Sequence, residues 1–390
     1  MSEAIPQNEL VTDSGLKVLI TGGAGCIGFA TIKSLLTHHP NASIHILDLT
    51  IPSLDAFPFS ILSEKKDQLH FHKSDITSSA SLSAIFNAVR PRVVIHTASV
   101  IPSAARKRQL SNEGLWKVNV EGTRNVLTVA EKMAEVEALV YTSSCDAVKP
   151  DSWMGFVNAT ETETASLRDT DVEGWDNEKA AAESLVLSTD LRIKTCAIRT
   201  HGVVGTLDQN LFPLVATSPR KISLGSGRNL YDFSSADNVG MAHVLALNNL
   251  LGLDSATGHD KGDVGGESAN RRAFFVTDGN PKPFRELQEM IWRVIDDEPE
   301  GKYGKYTVIP VWLFKAILRV AGLFGKTAIT PQEIGDAVSV RYYDIGEARR
   351  VLGYKPEQNK KLEESMRDAC EWWKMSSALA SKRSTKGGMK

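Results

Sequence analysis

Three glycines near the start of the sequence have the spacing of a phosphate-binding loop. Gly22, Gly25 and Gly28 follow an apolar run in the pattern GxxGxxG. Glycine permits a tight turn and lets backbone atoms approach a pyrophosphate closely. The helix that opens at Cys26 and Ile27 would direct free backbone N–H groups at the same phosphates. The pattern therefore predicts a dinucleotide site that includes these five residues.

One acidic residue has the spacing that decides which dinucleotide binds. Asp48 ends the second predicted strand, twenty residues beyond Gly28. A carboxylate there accepts hydrogen bonds from the ribose hydroxyls and repels a 2′-phosphate. The alternative is a structural turn followed by an unrelated aspartate, but the strand before the glycines and the helix after them argue against it. The predicted cofactor is therefore NAD rather than NADP.

The elements that must position this site alternate between strands and helices. Such alternation predicts an α/β fold, a Rossmann-type doubly wound parallel sheet with a smaller C-terminal substrate lobe. We expect loose tails at 1–15 and 376–390, the second basic and disordered. The NAD-binding domain is predicted over 16–200, and the lobe mainly over 201–375 with some elements returning to the first domain. Strands are expected at 16–21, 43–47, 69–72, 92–96, 138–143 and 193–198, and helices at 26–36, 79–89, 115–133 and 176–188.

Composition and charge exclude several classes of partner. The formal charge is -2, and 42% of residues are apolar, which argues against a nucleic-acid surface. The four cysteines form no CxxC pair, so a reduced, cytoplasmic protein is expected. The N-terminus lacks the basic flank and apolar core of a secretory signal. The histidine pairs His38-His39 and His70/His72 lack further ligands at suitable spacing, so no metal is expected.

The segment 310–324 is strongly apolar and carries only two charges, Lys315 and Arg319. A core-facing helix of the substrate lobe is the favoured interpretation, because short apolar helices are usually buried. The other interpretation is a helix that lies in a membrane interface, which would make the protein peripheral at the endoplasmic reticulum membrane.

Four motifs resemble the extended short-chain dehydrogenases/reductases. They are Asp75-Ile76, His96-Thr97-Ala98-Ser99, Asn119 within VNVEGTRNVL, and Tyr141-Thr142-Ser143-Ser144. The resemblance implies that the first pair contacts adenine and that Thr97, Ala98 and Ser99 line the pocket beside the cofactor. It also implies that Asn119 belongs to the cofactor site and that Ser144 is the catalytic serine.

Longer runs narrow the resemblance to the 3β-hydroxysteroid dehydrogenase group. They are IHTAS, VNVEGTRNVLTVAE, VYTSS, DNVGMAHVLAL, AFFVTDGNPKPF and RYYDIGEARRVLGYKP. Within that group the chain is most similar to sterol-4α-carboxylate 3-dehydrogenases (decarboxylating), over residues 16–375. The resemblance implies a bulky hydrophobic substrate, sterol- or terpenoid-like, whose secondary alcohol is oxidised. Oxidation of a 3-hydroxyl beside a 4-carboxyl group gives a β-keto acid, which loses CO2 readily. A homodimer through the helices at 115–133 and 176–188 is also implied.

The family chemistry uses a tyrosine as general base and a lysine four residues later. The lysine binds the nicotinamide ribose and lowers the pKa of the tyrosine. Lys179 has the position of that lysine, but Trp175 stands where the tyrosine is expected. An indole donates a hydrogen bond but cannot serve as a base near neutral pH. The usual proton acceptor is therefore missing.

Two titratable residues are candidates to replace it. His201 follows the strand at 193–198, beside the expected nicotinamide position, and an imidazole suits acid–base work near pH 7. Asp146, just past Ser144, is a candidate to orient an imidazole, or it stays solvated. Three functions remain open at this point. The first is a dehydrogenase in which another group, His201 or a water bound to Ser144, takes the proton. The others are a non-redox enzyme (decarboxylase, isomerase or cyclase) on the same fold and a pseudoenzyme that binds NAD.

Overall fold

The computed structural model describes residues 15–56, 58–101, 109–148, 155–161, 175–216, 221–253, 266–299, 301, 303–322 and 331–387. The predicted N-terminal tail lies outside this part of the chain except for its last residue, Gly15.

Seven parallel strands form the main sheet, in the order β12-β7-β5-β4-β1-β2-β3. The order reverses between β1 and β4, and a crevice opens at the carboxyl ends of the strands at such a point. The predicted doubly wound fold is confirmed. The strands are β1 (Lys17–Thr21), β2 (Ser43–Asp48), β3 (Leu69–Lys73), β4 (Val93–His96), β5 (Ala138–Ser144), β6 (Gly155–Ala159), β7 (Lys194–Thr200), β8 (Val203–Val204), β9 (Ile222–Leu224), β10 (Leu230–Tyr231), β11 (Ser234–Ser235), β12 (Arg272–Val276), β13 (Lys282–Pro283), β14 (Thr307–Ile309) and β15 (Val340–Tyr343).

Helices cover both faces of this sheet, which is why its central strands are almost wholly apolar. On one face α1 and α7 pack so closely that a Cβ on Gly240 would lie 2.6 Å from the backbone of Ala30. On the other face α2, α4 and α5 bury residues such as Phe86, Val126 and Ala182. The helices are α1 (Cys26–His38), α2 (Ser79–Val89), α3 (Asn112–Trp116), α4 (Gly122–Lys132), α5 (Trp175–Val186), α6 (Leu211–Ala216), α7 (Ala236–Leu251), α8 (Phe284–Asp296), α9 (Val311–Gly322), α10 (Pro331–Val338) and α11 (Leu362–Gly387).

A second, four-stranded sheet in the order β13-β10-β15-β6 belongs to the lobe. Strand β6 pairs in parallel with β15, and Phe156 is in register with Arg341. The domain boundary predicted at residue 200 is therefore crossed in both directions. Strand β6 comes from the first 200 residues but joins the lobe, whereas α7 and β12 come from the later chain and join the main sheet. A separate apolar core of the lobe forms between α6, α8 and α11.

Two predictions about the later chain are wrong. Helix α9 was expected to face the core, but Trp312 and Ile317 are 71% and 48% exposed, because the lobe core is built from other helices. The segment 376–390 was expected to be disordered, but α11 continues to Gly387. No proline and no earlier glycine interrupts that helix. Among the described helices, none is long and apolar enough to cross a membrane.

Candidate active site

The glycine loop joins β1 to α1 with very little space around it. Gly22 has a φ of 71°, and a Cβ there would lie 2.7 Å from the Ala98 backbone. A Cβ on Gly28 would lie 2.4 Å from the carbonyl oxygen of Gly22. Any side chain at either position would collide with backbone atoms, so this loop requires glycine at both. The first turn of α1, with Cys26 and Ile27, follows the loop directly and has the unpaired N–H groups of a helix start.

Asp48 lies beside this loop at the carboxyl end of β2. Its Oδ2 accepts a hydrogen bond from the Ala24 N–H at 3.1 Å, and its Oδ1 accepts a weaker one from the Thr50 N–H at 3.4 Å. The side chain is partly exposed. A carboxylate has about four acceptor positions, so Asp48 keeps the capacity to bind hydroxyl groups next to the glycine loop. This geometry favours NAD.

The pair expected on the adenine side, Asp75 and Ile76, follows the next strand. Asp75 is exposed, and its Oδ1 accepts from the Thr77 N–H at 2.8 Å. Ile76 is buried and lies so close to α4 that a Cβ on Gly122 would be 2.6 Å from its side chain. Both residues stand at the same carboxyl edge of the sheet as Asp48.

The segment after β4 forms the wall next to the glycine loop. Thr97 Oγ1 donates to the Thr21 carbonyl at 2.8 Å, and the Ala98 N–H reaches Thr21 Oγ1 at 3.4 Å. Ser99 donates to Asn119 Oδ1 at 3.0 Å. Hydrogen bonds to β1 therefore fix Thr97 and Ala98, and a hydrogen bond to Asn119 fixes Ser99.

Asn119 has a different role from the one expected. It lies in a π-helical turn between α3 and α4 and is 2% exposed. Its Oδ1 accepts from Ser99 and from the Val100 N–H, and its Nδ2 donates to the Val100 carbonyl and to Glu178. These four bonds use the whole capacity of the amide. Asn119 therefore positions the wall and helix α5 instead of binding the cofactor directly.

Lys179 projects from α5 toward the end of β5. It is 3% exposed, and its Nζ donates to the Thr142 carbonyl at 3.1 Å and to the Tyr141 hydroxyl at 3.4 Å. Burial lowers the pKa of Lys179 to about 8, although Glu183 and Glu178 raise it. Trp175 begins the same helix one turn earlier, but its side chain lies outside the described residues.

Ser144 ends β5 and is tied to Asp146. Its Oγ donates to Asp146 Oδ2 at 3.1 Å and accepts from the Asp146 N–H at 3.1 Å. Asp146 Oδ1 in turn pairs with Arg341 Nη1 at 2.6 Å. Burial raises the pKa of Asp146, but Arg341, His201 and the hydrogen bonds from Arg341 and Ser144 lower it by more, so the net shift is downward.

His201 is buried next to Ser144 and Asp146, on the side that faces the lobe. Its Nδ1 bonds to the backbone carbonyl of Asp232 at 2.8 Å, so Nδ1 carries the proton. Its ring packs against Tyr231 at 4.6 Å and Tyr343 at 5.2 Å between centroids. Burial and the charge of Arg341 lower the pKa of His201 to about 4, against the opposing charge of Asp146.

The structure thus brings Ser144, Asp146 and His201 together but corrects how they are connected. Of the two roles left open for Asp146, orienting the imidazole belongs instead to Asp232, which does so through its backbone carbonyl. The sequence also missed Arg341, the partner of Asp146, since 195 positions separate the two. No local sequence pattern points to this pair. Among the described residues, no group of three or more His, Cys, Asp or Glu could hold a metal ion.

The fold and this site together define an extended short-chain dehydrogenase/reductase. Similar solved structures include a UDP-glucose 4-epimerase from Thermotoga maritima, with 17% identity, 93% of this chain and 99% of that chain covered, and a TM-score of 0.66. A dTDP-glucose 4,6-dehydratase from Bacillus anthracis in complex with NAD has 16% identity, covers 93% of this chain and 97% of its own, and gives a TM-score of 0.62.

The chain belongs to the 3-beta hydroxysteroid dehydrogenase/isomerase family, whose model matches residues 19–304. It is 31% identical to a sterol-4-alpha-carboxylate 3-dehydrogenase, decarboxylating, from Candida albicans, over 93% of this chain and 99% of the relative. The corresponding protein of Saccharomyces cerevisiae is 30% identical over 91% of this chain and 97% of the relative. The predictions of the fold, the family and an oxidoreductase enzyme are confirmed.

Proposed function

We propose that the protein uses NAD+ to oxidise the 3-hydroxyl group of a sterol-like 4-carboxylic acid, and that the product loses CO2. The observation that carries this proposal is the 31% identity to a decarboxylating sterol-4-alpha-carboxylate 3-dehydrogenase over nearly the whole chain. The glycine loop and Asp48 support it, because the site needed for the dinucleotide is intact.

The residues of the first half fit a bound NAD. Gly22 and Gly28 form the tight turn that lets backbone atoms approach a pyrophosphate, and a Cβ at either position would collide with backbone atoms of the loop or of Ala98. The first turn of α1, with Cys26 and Ile27, supplies N–H groups for the pyrophosphate. The ribose and adenine side is formed by Asp48, Asp75 and Ile76, and the nicotinamide side by Thr97, Ala98, Ser99 and Lys179. When bound, NAD+ supplies the acceptor for the hydrogen and electron pair of the substrate C3–H bond.

The remaining residues act on the substrate. Ser144 binds the substrate oxygen at the end of β5, and Lys179 places a cation beside the nicotinamide ribose. His201, with Nδ1 held as a donor, leaves Nε2 as the ring nitrogen with a lone pair. Oxidation at C3 converts the substrate into a β-keto acid, whose loss of CO2 needs no further redox group.

The direct test follows NADH absorbance with purified protein, NAD+ and a panel of 3-hydroxy-4-carboxy sterols. We expect NADH and, by mass spectrometry, a ketone that lacks the carboxyl group. NAD+ binding is measured separately by calorimetry. Protein that binds NAD+ but forms no NADH with any member of the panel contradicts the proposal.

Because Trp175 replaces the expected tyrosine, two other functions need to be tested. A non-redox enzyme and an NAD-binding pseudoenzyme both follow if no group replaces the missing tyrosine. Trp175→Tyr distinguishes them. A gain of oxidation in this variant alone means that only the base was lost. Unchanged non-redox turnover indicates new chemistry, and a pseudoenzyme forms no product in either protein.

Helix α9 is the proposed contact with a membrane surface. Trp312, Leu313 and Ile317 are exposed on it, and Lys315 and Arg319 are exposed on the same helix. Exposed apolar residues beside cations are typical of helices that lie in a membrane interface. The proposed location is therefore cytoplasmic and peripheral at the endoplasmic reticulum membrane.

Sedimentation with anionic phosphatidylcholine/phosphatidylserine vesicles tests this contact. Trp312→Ser should lower the bound fraction, whereas Trp116→Ser, which removes a tryptophan that is 39% exposed elsewhere, should not. Equal binding of both variants and the unmodified protein removes the proposal.

Helices α4 and α5 form the proposed homodimer interface. An open groove between them is lined by Leu127 and Leu185 and rimmed by Arg124 and Glu131. Light scattering should give twice the chain mass at micromolar concentration. A monomer under these conditions removes the interface.

A further inference from the structure

The hydroxyl group of Ser144 has one position left for a ligand, and that position is an acceptor. A hydroxyl has one proton and two lone pairs. The proton of Ser144 is donated to Asp146 Oδ2, and one lone pair accepts the Asp146 N–H. The remaining lone pair can receive a hydrogen bond but cannot give one. A substrate alcohol bound there must therefore donate its proton toward Ser144.

Asp146 is held as a carboxylate that can accept this proton. Arg341 binds its Oδ1 through a charge-assisted hydrogen bond of 2.6 Å. Arg341 itself is fixed, since its guanidinium stacks on the Phe156 ring at 5.6 Å and its Nε donates to Ser339 at 3.3 Å. The other carboxylate oxygen, Oδ2, accepts the hydrogen bond from Ser144.

Ser144 is largely buried, with 9% of its surface exposed, whereas its two partners are partly exposed. Ser144 stands at the carboxyl edge of the sheet, the edge at which open α/β sheets bind ligands. The side chain of Asp146 is 24% exposed and that of Arg341 15%. A proton that reaches Asp146 can therefore leave to water.

We propose that Ser144 and Asp146 form the proton relay that takes the place of the missing tyrosine, with Arg341 as the positioning residue. This inference rests on the proposed function. The substrate O–H bond breaks as a new Oγ–H bond forms on Ser144. The former Oγ–H bond breaks as an O–H bond forms on Asp146 Oδ2, and Asp146 then releases its proton to water. The hydrogen and electron pair of the C3–H bond go to NAD+, the oxidant of the proposed function.

The other two candidate proton acceptors, Lys179 and His201, are bonded to groups other than Ser144. Lys179 donates to Thr142 and Tyr141, and with a pKa of about 8 it is mostly charged at neutral pH. His201 is bonded to Asp232 and packed between two tyrosines. Neither has a hydrogen bond to Ser144 among the described contacts.

Asp146→Asn tests the relay, because it keeps the size of the side chain and removes its basicity. Single-turnover oxidation should fall by about 100- to 10,000-fold, while the Kd for NAD+ stays within about twofold. Asp190→Asn, the same substitution at an exposed position in the turn between α5 and β7, is the matched control and should leave the rate unchanged. An Asp146→Asn variant that keeps the unmodified rate overturns the relay.

The pH profile separates the acceptors in the unmodified enzyme. The charged and titratable groups that face Asp146 are Cys145 next to it, Lys179 from α5, His201 after β7, and Arg341 and Tyr343 from β15. With Asp146 as acceptor, the oxidation rate should stay level from pH 8 to about pH 5, since the carboxylate remains charged. A rate that falls below about pH 8 assigns the role to Lys179 and overturns the relay.

A third measurement uses the free protein. In the carbon-13 NMR spectrum the Asp146 carboxyl should titrate below its ordinary pKa, and Ser144→Ala and Arg341→Gln should each raise the midpoint. A midpoint at or above the ordinary value overturns the relay. Should Asp146→Asn unfold because it leaves Arg341 unpaired, Asp146→Asn/Arg341→Met removes both charges and should show the same loss of rate.

The failure of the relay and that of the proposed function give different results. If the Asp146→Asn variant oxidises the sterol acid as fast as the unmodified protein does, only the relay is overturned. Unmodified protein that binds NAD+ and oxidises no sterol acid overturns the proposed function, and the relay with it.

Discussion

Glu183 of α5 and Arg199 of β7 form an ion pair buried beside Lys179. Arg199 Nη2 lies 2.7 Å from Glu183 Oε1, and the two side chains are 5% and 3% exposed. Glu183 follows Lys179 by one helical turn, and its charge opposes the effect of burial on the lysine pKa. The pair therefore fixes α5 against the sheet and helps to keep Lys179 charged.

Removal of one partner of this pair should cost about 3–5 kcal/mol of unfolding free energy, because it leaves a buried charge without compensation. Glu183→Gln, followed by urea denaturation at pH 7, checks this. The matched control is Glu137→Gln, which breaks the half-exposed pair with Arg92 and should cost less than about 1 kcal/mol. Equal losses in the two variants would mean that the buried pair contributes no more than a surface pair.

Asp48 should determine the preference for NAD+ over NADP+. Asp48→Ala removes hydrogen bonds to a charged group, each worth about 1.5–3 kcal/mol, so NAD+ affinity should fall about 10- to 100-fold. Affinity for NADP+ should rise relative to that for NAD+, because the repulsion of the 2′-phosphate is lost. Calorimetry with both nucleotides measures the ratio.

Two further variants control for the contact of Asp48 with the glycine loop. Asp48→Asn keeps an acceptor for the Ala24 N–H but loses the charge, so it should shift the ratio as Asp48→Ala does. Asp55→Ala, at an exposed position, should change neither affinity. An unchanged ratio in both Asp48 variants would remove the role given to the carboxylate.

Gly28→Ala should disturb the glycine loop through backbone contacts alone. The new methyl group would lie 2.4 Å from the Gly22 carbonyl oxygen and 2.6 Å from Gly23 Cα. Overpacking of this kind costs about 1–3 kcal/mol, and NAD+ affinity should fall about tenfold or more. Gly304→Ala is the control, because no atom lies within 4 Å of its added Cβ. Thermal denaturation and calorimetry measure both effects, and a Gly28→Ala protein as stable as the Gly304→Ala protein contradicts the prediction.

The stability of the protein should depend on pH through Asp232. This side chain is fully buried, and burial raises its pKa to about 7 in spite of bonds from Tyr343 and Thr277. A raised carboxyl pKa means that the folded state binds the proton more tightly. Its stabilising contribution is full below the unfolded pKa near 4 and is lost as the pH rises through 7.

Urea denaturation between pH 4 and pH 8 checks this in comparison with Asp232→Asn. The unfolding free energy of the unmodified protein should fall relative to the variant by about 1.4 kcal/mol per pH unit at most. The comparison removes the contributions of other buried groups, which titrate in both proteins. Parallel curves would show that Asp232 keeps an ordinary pKa.

The sequence alone was enough to predict six of the seven strands of the main sheet, the glycine loop and the position of Asp48 beside it. These features depend on residues that are close in the chain: a strand, a turn that only glycine permits, and a helix that starts directly after it. The local periodicity also gave the first helices and strands to within a few residues, because parallel strands buried on both faces are continuous apolar runs.

Tertiary structure decided how the candidate active site is connected. Asp146 meets Arg341, and Asp232 orients His201, only because β15 and the β10–β11 segment fold back to the end of β5. The side-chain amide of Asn119 uses its full hydrogen-bonding capacity on neighbours that no local pattern identifies. The exposure of α9 was likewise undetermined, since an apolar run has the same sequence whether a core or a solvent-facing surface lies beside it. Spacing predicts what a segment can form by itself, whereas ion pairs, orientation and burial depend on which distant segments pack against it.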